Sequence, residues 1–362
     1  MNKNINRHIK HKDNKFPYNL KNTYTKDEFR FSSKLIFSII ITLFIIFSLT
    51  KRKKKQEKMQ FQYFACFGGI GRRENLYIRD LISYYLSIGF EKFILGDNNF
   101  PNIEKISDVT QDYIDKGILD IIEVFGSSIG QDEFYEIIYE RYKNKCAWIS
   151  FFDLDEYLRM HSEDNQIISI KQYLSNPVFE KCESISINWL MYSDNNLLKY
   201  DNRTLLERFT HPLYKNKENR VIKSIVRGNL NKIVFYPNSS SHVPNKKVHI
   251  CNSLGKRLKR YSGMYVKPPL LKYTYLMHFT TKTIEEYLNK ITKRGVIQNQ
   301  PFNITEAIKK FFQMNDFTEE KLKIFEKAFN KTFDQFRNNN HFDNKVCINF
   351  LSIFICLFCV IL

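Results

Sequence analysis

Ala147-Trp148-Ile149-Ser150-Phe151-Phe152-Asp153-Leu154-Asp155-Glu156 decides how this chain is read. Six mostly apolar residues run into an acidic triplet. The apolar run is too short for a helix and reads as a buried strand. A strand buried on both faces belongs in a parallel sheet. Its carboxyl end then carries Asp153, Asp155 and Glu156 to the sheet edge, where open α/β sheets bind ligands. Asp153 and Asp155, two apart, can both face a hard cation that bridges phosphate oxygens, and Mg²⁺ and Mn²⁺ prefer such oxygen ligands. No other Asp-x-Asp occurs in the sequence. A solvated acidic turn after a strand would carry the same residues, so the weight of the reading comes from the rest of the chain.

Upstream, three strand–helix units lead into this strand. Residues 61–67 read as a strand, followed by a loop, Gly68-Gly69-Ile70-Gly71-Arg72-Arg73, whose glycines allow close approach to a ligand or a sharp turn. A helix from Glu74 places Ile78, Leu81, Ile82 and Tyr85 on one apolar face, and Gly89 stops it. Residues 93–95 form a second strand, ending in Gly96-Asp97-Asn98-Asn99. A second helix carries Ile106, Val109, Tyr113 and Ile114 and ends at Gly117. Residues 118–124 are a third strand, and a helix over 131–145 groups Phe134, Ile137, Ile138 and Tyr142. This alternation predicts an α/β, Rossmann-like, mostly parallel sheet with helices on both faces. Right-handed crossovers put all the strands' carboxyl ends on one side. The glycine–arginine loop, the Asp97 turn and the Asp153–Glu156 turn therefore converge on one rim.

Downstream, Ile185, Ile187 and Trp189 alternate as on a half-buried strand. Residues 221–227, 232–236, 246–251 and 272–278 are further strand candidates, and helices return at 283–293, 304–313 and 318–337.

The formal charge of +18 invites a nucleic-acid reading, but its location argues against one. Residues 1–58 hold 15 Lys/Arg against four acids, which leaves only +7 for the remainder. Blocks of like charge are usually tails. They flank the apolar residues 31–50, near the length that spans a bilayer. The organisation expected is a basic disordered tail over 1–30, a transmembrane helix over 31–50, a basic stem over 51–60, a catalytic domain over 61–340 and an apolar segment over 346–362. This implies a single-pass membrane protein. Of seven Cys, Cys66, Cys146, Cys182 and Cys251 lie in the expected domain with no zinc spacing; buried free thiols are the expectation, or a disulfide if the domain is luminal.

A nucleotide-binding sheet with a glycine loop, a strand-end Asp and a metal-competent Asp-x-Asp suits a nucleotide-sugar transferase. A divalent cation, Mn²⁺ or Mg²⁺, would neutralise the diphosphate as it leaves the anomeric carbon. Asp97 could bind the base or ribose, and Arg72 and Arg73 could hold phosphate bidentately. Lys223 and Arg227 share a strand face, spaced to meet phosphates or merely solvent. For the base that takes the acceptor's proton, Asp194, Asp201 and Glu207 stand open.

From Phe61 to about Gly295 the chain resembles glycosyltransferase family 92 and related bacterial capsule-type transferases. The resemblance is carried by Arg73-Glu74-Asn75, Tyr77-Ile78-Arg79-Asp80, Gly89-Phe90, Asp97-Asn98-Asn99 and residues 148–158. It continues through Asn188-Trp189, Asp201-Asn202-Arg203, Glu207-Arg208-Phe209, Lys223-Ser224-Ile225-Val226, residues 278–283 from His278 to Thr283, Lys290 and Arg294-Gly295. It implies the A-type glycosyltransferase fold and inverting transfer from a nucleotide-diphosphate sugar, a UDP-sugar foremost, to a glycan or other hydroxyl acceptor. Donor contacts would fall on Arg72, Arg73, Asn75, Asp97, Asp153 and Lys223. The metal shell would fall on Asp153 and Asp155, completed by His278 or His242. The family's usual His-Tyr is His278-Phe279 here. A eukaryotic host would place such a type II enzyme in the Golgi or endoplasmic reticulum. The rivals are a non-catalytic carbohydrate- or nucleotide-binding protein on the same fold and a basic membrane-apposed adaptor acting through residues 1–58.

Overall fold

The computed structural model describes residues 37–45, 47, 60–125, 130–231, 233, 235, 244, 248–258, 265–293 and 303–337. The chain divides into two units, Met1–Gln60 and Phe61–Leu362. In the first, residues 37–45 are helical, with Phe37, Ile39, Ile40, Leu43 and Phe44 exposed. Among the described residues no helix is long and apolar enough to cross a membrane. Apart from Phe47, the rest of the 31–50 stretch lies outside the described residues, as do the 1–30 tail and the 346–362 segment.

The second unit opens with the expected alternation. It runs β1 (Tyr63–Gly71), α1 (Asn75–Ser87), β2 (Lys92–Asp97), α2 (Ile106–Asp115), β3 (Leu119–Glu123), α3 (Gln131–Tyr142) and β4 (Cys146–Phe151). The predicted face of α1 is buried, as is that of α3 apart from the half-buried Ile137; Gly89 follows α1 and Gly117 follows α2 with φ of +95° and +67°, a conformation glycine adopts at little cost. The glycines of 68–71 are not a loop. They lie within β1, all three pairing with β2 and Gly68 also with β4. Their reason is space: a Cβ on Gly69 would stand 2.9 Å from Leu154, and one on Gly71 would overlap the same side chain. Leu154, between the two aspartates, is seated in that groove, 3% exposed.

The remaining elements are β5 (Glu156–Met160), α4 (Ile170–Leu174), β6 (Ser184–Met191), α5 (Leu205–Arg208), β7 (Ile222–Arg227), β8 (Ile250–Asn252), β9 (Thr274–His278), α6 (Ile284–Lys293), α7 (Ile304–Phe312), α8 (Glu319–Phe329) and α9 (Asp334–Arg337). The sheet order is β3-β2-β1-β4-β7-β6-β9-β5, with β8 beside β6. The first four strands are parallel, as expected. The whole sheet is mixed, because β7 enters antiparallel between β4 and β6 and β5 closes the edge antiparallel to β9. Residues 232–236 make no strand among the described residues, only an isolated bridge between Phe235 and Pro244. The helix predicted over 318–337 breaks at Asn330, whose φ of +51° is left-handed. The thiols are not free: Cys66–Cys146 and Cys182–Cys251 are disulfides. Cys66 and Cys146 lie on adjacent strands, β1 and β4, and sequence spacing carries no trace of that adjacency.

Candidate active site

The acidic triplet bridges β4 and β5. Register then decides its company. Glu156 pairs with His278 across β5 and β9, and the Phe279 amide donates to the Asp155 carbonyl at 3.0 Å. This brings His278, at the end of β9, against Asp155, with Nε2 3.5 Å from Oδ1. Lys223 on β7 arrives from the other side, Nζ 2.7 Å from Asp153 Oδ2 and 3.5 Å from Glu156 Oε1.

Asp155 is the most heavily compensated of the three acids. Besides His278 it faces Lys290 Nζ at 3.0 Å and Lys282 Nζ at 3.7 Å, both on Oδ2. Burial works to raise its carboxyl, but Lys290, Lys282 and His278 together hold it well below the ordinary range, so it is a carboxylate. Burial pushes Glu156 the other way, well above the ordinary range, against the opposing pull of Lys223. Burial also lowers His278 despite Asp155, so the ring is neutral at neutral pH. Its Nδ1 is buried without a hydrogen-bond partner among the described residues. The ring packs 4.3 Å from that of Trp189. Phe279 sits in a cage of Tyr157, Tyr192 and Phe209, so the position that commonly carries a Tyr is part of the core here.

Beside Asp155 opens a cleft of about 450 Å³, within the size range of small-ligand sites. One wall is Arg73 to Tyr77, another Ile103 and Glu104, and a third runs from Thr281 to Lys290. Lys282 spans the floor. Its Nζ lies 3.8 Å from Glu74 and 4.6 Å from the Tyr77 ring centre, and burial pushes its pKa down to about 8. Glu286 locks the wall, receiving two bonds from the buried Arg208 guanidinium at 2.8 and 3.0 Å and one from the Tyr77 hydroxyl at 2.6 Å.

The three predicted loops do meet. Gly71 pairs with Asp97, Arg72 donates twice to Asn98 at 3.1 Å, and the Arg73 amide donates to Asn99 at 2.6 Å. Arg73 is left-handed, with φ of +59°, and its buried Nε has no hydrogen-bond partner among the described residues. Such strain in a non-glycine residue gathers at functional sites. Asn75 lines the cleft, donating to the carbonyls of Glu104 and Lys105. Asp97 is buried, and its two oxygens accept the amides of Asn99 at 2.9 Å and Ile106 at 2.7 Å. That geometry shapes the turn and starts α2.

The base candidates lie elsewhere. Asp194 is buried against Lys321 at 2.7 Å, its carboxyl raised by burial. Asp201 pairs with Arg203 at 2.6 Å, and Glu207 caps α5 through Thr204. None of the three lines the cleft. His242 lies outside the described residues. Lys282, Lys290 and Glu74 carry no local signal of a role in the sequence, although all three fall inside motifs that carry the family resemblance.

The Mn²⁺ or Mg²⁺ implied for this site can be tested against the donors present. Among the described residues no three His, Cys, Asp or Glu side chains converge on one point. Asp155 and His278 do converge, a carboxylate beside a neutral imidazole. Divalent ions at phosphate sites commonly take one or two protein ligands and complete their shell with phosphate oxygens. The pair fits that arrangement.

A model of glycosyltransferase family 92 matches residues 62–295. The chain therefore belongs to glycosyltransferase family 92. No curated protein matches it. Among solved structures it is similar to S. aureus TarS, with 13% identity, a TM-score of 0.35, and coverage of 73% of this chain and 49% of that one. It is also similar to S. aureus TarS 1–349 in complex with UDP-GlcNAc, with 13% identity, a TM-score of 0.33, and coverage of 72% and 81%. The chain thus spans about half the length of the first of these two.

Proposed function

We propose that the chain transfers a sugar from a nucleotide-diphosphate sugar, a UDP-sugar foremost, to a hydroxyl of a glycan acceptor with inversion, on an A-type glycosyltransferase fold. The observation that carries this reading is the pairing of Asp155 with His278, together with the contacts of Asp155 to Lys282 and Lys290, which line a cleft with Arg73. Carboxylate and imidazole would hold a divalent ion, which supplies charge for the departing diphosphate. Lys282, Lys290 and Arg73 are placed to meet its oxygens. Arg208 and Glu286 keep the Tyr77 wall fixed, which orients the nucleotide against the rim. Lys223 holds Asp153 and Glu156 in place beneath the site.

The enzyme is further proposed to be anchored through residues 31–50, with its catalytic unit in an oxidising compartment. The two disulfides support this, since such bonds persist in secretory compartments and are rare in the cytosol. A panel of nucleotide sugars, incubated with the full chain with and without Mn²⁺, tests the function. Hydrolysis or transfer from one donor, dependent on Mn²⁺, is expected. UDP binding with no turnover of any donor would favour the non-catalytic carbohydrate- or nucleotide-binding alternative.

A further inference from the structure

We propose that Lys290, with Lys282 beside it, is an exchangeable counter-cation of Asp155: the two ammonium groups neutralise this carboxylate in the ligand-free cleft and pass to the oxygens of a bound diphosphate. The proposal rests on the nucleotide-diphosphate reading above and assigns two residues to it.

The geometry is specific. Both lysines address Oδ2 of Asp155, at 3.0 and 3.7 Å, while Oδ1 faces His278. A cation shared by Asp155 and His278 would compete with them for the same carboxylate. Neither lysine is fixed by a strong second partner. Lys290 has the Thr280 carbonyl at 3.3 Å, and Lys282 has Glu74 at 3.8 Å, beyond hydrogen-bonding distance. Both line the cleft. The Lys290 side chain keeps 26% of its surface in solvent, and a four-carbon stem lets its ammonium swing.

Charge then couples the ligands. Two carboxylates, Asp155 and Glu74, face two ammonium groups, Lys282 and Lys290. A divalent cation alone adds two positive charges beside two ammonium groups in a poorly hydrated pocket, which is unfavourable. A diphosphate alone sets its negative charge near Asp155. Together the two ligands restore balance, with the lysines on phosphate. Each ligand therefore raises the other's affinity, and by linkage the factor is the same in both directions.

The test uses the full chain with Mn²⁺ and UDP as probes. Mn²⁺ binding is followed by the spin-resonance signal of the free ion and by quenching of Trp189, whose ring lies beside His278. In the parent chain, saturating UDP should tighten Mn²⁺ binding tenfold or more. Lys290→Met should bind Mn²⁺ without UDP about tenfold more tightly than the parent, bind UDP alone more weakly, and lose most of the coupling. Lys282→Met should shift both constants in the same direction. Should that buried substitution fail to fold, shown by melting, the more exposed Lys290→Met decides alone. If Lys290→Met binds Mn²⁺ no more tightly while the parent binds UDP normally, the counter-cation role is overturned and the nucleotide reading stands. If the parent binds UDP under no condition, both fall.

Discussion

Asp155→Asn separates the chemical role of this residue from its structural one. The side chain keeps its shape and loses its charge, so Lys282 and Lys290 lose the anion they share. Breaking a fully buried ion pair typically costs about 3–5 kcal/mol, because the surviving charge is stranded. Here the loss is capped. The Lys290 side chain is 26% exposed and can turn its ammonium to water. Lys282 already titrates near 8, so releasing its proton at pH 7 costs about 1.4 kcal/mol, one pH unit's worth. The expected destabilisation is therefore about 1–3 kcal/mol, a fall in Tm of roughly 3–10 °C for a unit of this size. The effect on transfer should be far larger. Removing a charged ligand of a Lewis-acid site forfeits several kcal/mol of leaving-group stabilisation, or about a thousandfold in kcat. Melting curves and initial rates on the same preparation give both numbers. A folded Asp155→Asn enzyme within tenfold of the parent rate would refute the assignment of Asp155 to the departing diphosphate.

Asp97→Asn should not be silent: both carboxylate oxygens accept backbone amides, and an amide NH₂ cannot replace the second acceptor. A loss of about 1–3 kcal/mol in melting experiments is expected, with donor KM moving only as the fold loosens; a raised KM at unchanged Tm would instead make Asp97 a donor contact. Burial depresses the Lys282 pKa from 10.5 to about 8, so the unfolded chain holds the proton over that interval and the folded chain does not. Stability contributed by this group should therefore rise with pH from about 8 to 10.5, while UDP affinity falls as the ammonium is lost, and Lys282→Met should remove both trends. Gly71→Ala should displace Leu154 and with it both flanking aspartates; overpacking of this kind typically costs about 1–3 kcal/mol. An enzyme of parent activity and Tm would show that the groove is not needed.

Much of the rim was legible in the sequence because it is built from local signals. Apolar faces at helical spacing set α1 to α3. Parallel pairing of β2, β1 and β4 then sets the strand ends that lead into Asp97, Arg72 and Asp153 on one rim, although these residues are far apart in the chain. What escaped was set by pairing at long range. Nothing near residues 222–227 announces that this strand enters antiparallel beside β4, yet that entry delivers Lys223 to Asp153. Lys290 lies 135 residues from Asp155, on a helix whose own pattern reads only as amphipathic. Both disulfides join residues about 70–80 apart, for the same reason.

The glycines of β1 and the Asp-Leu-Asp turn read separately as a ligand loop and a metal motif. Packed together they are one device. Leu154 can sit between Asp153 and Asp155 only because Gly69 and Gly71 present no side chain to it. Its burial stabilises the fold by roughly 1.5–3 kcal/mol and fixes the backbone on either side. Asp155 is thereby held where β9 brings His278, and Asp153 where β7 brings Lys223. The chemistry of the two aspartates thus depends on an apolar contact that carries no charge, and a search for polar motifs alone would pass over the residue that aligns them.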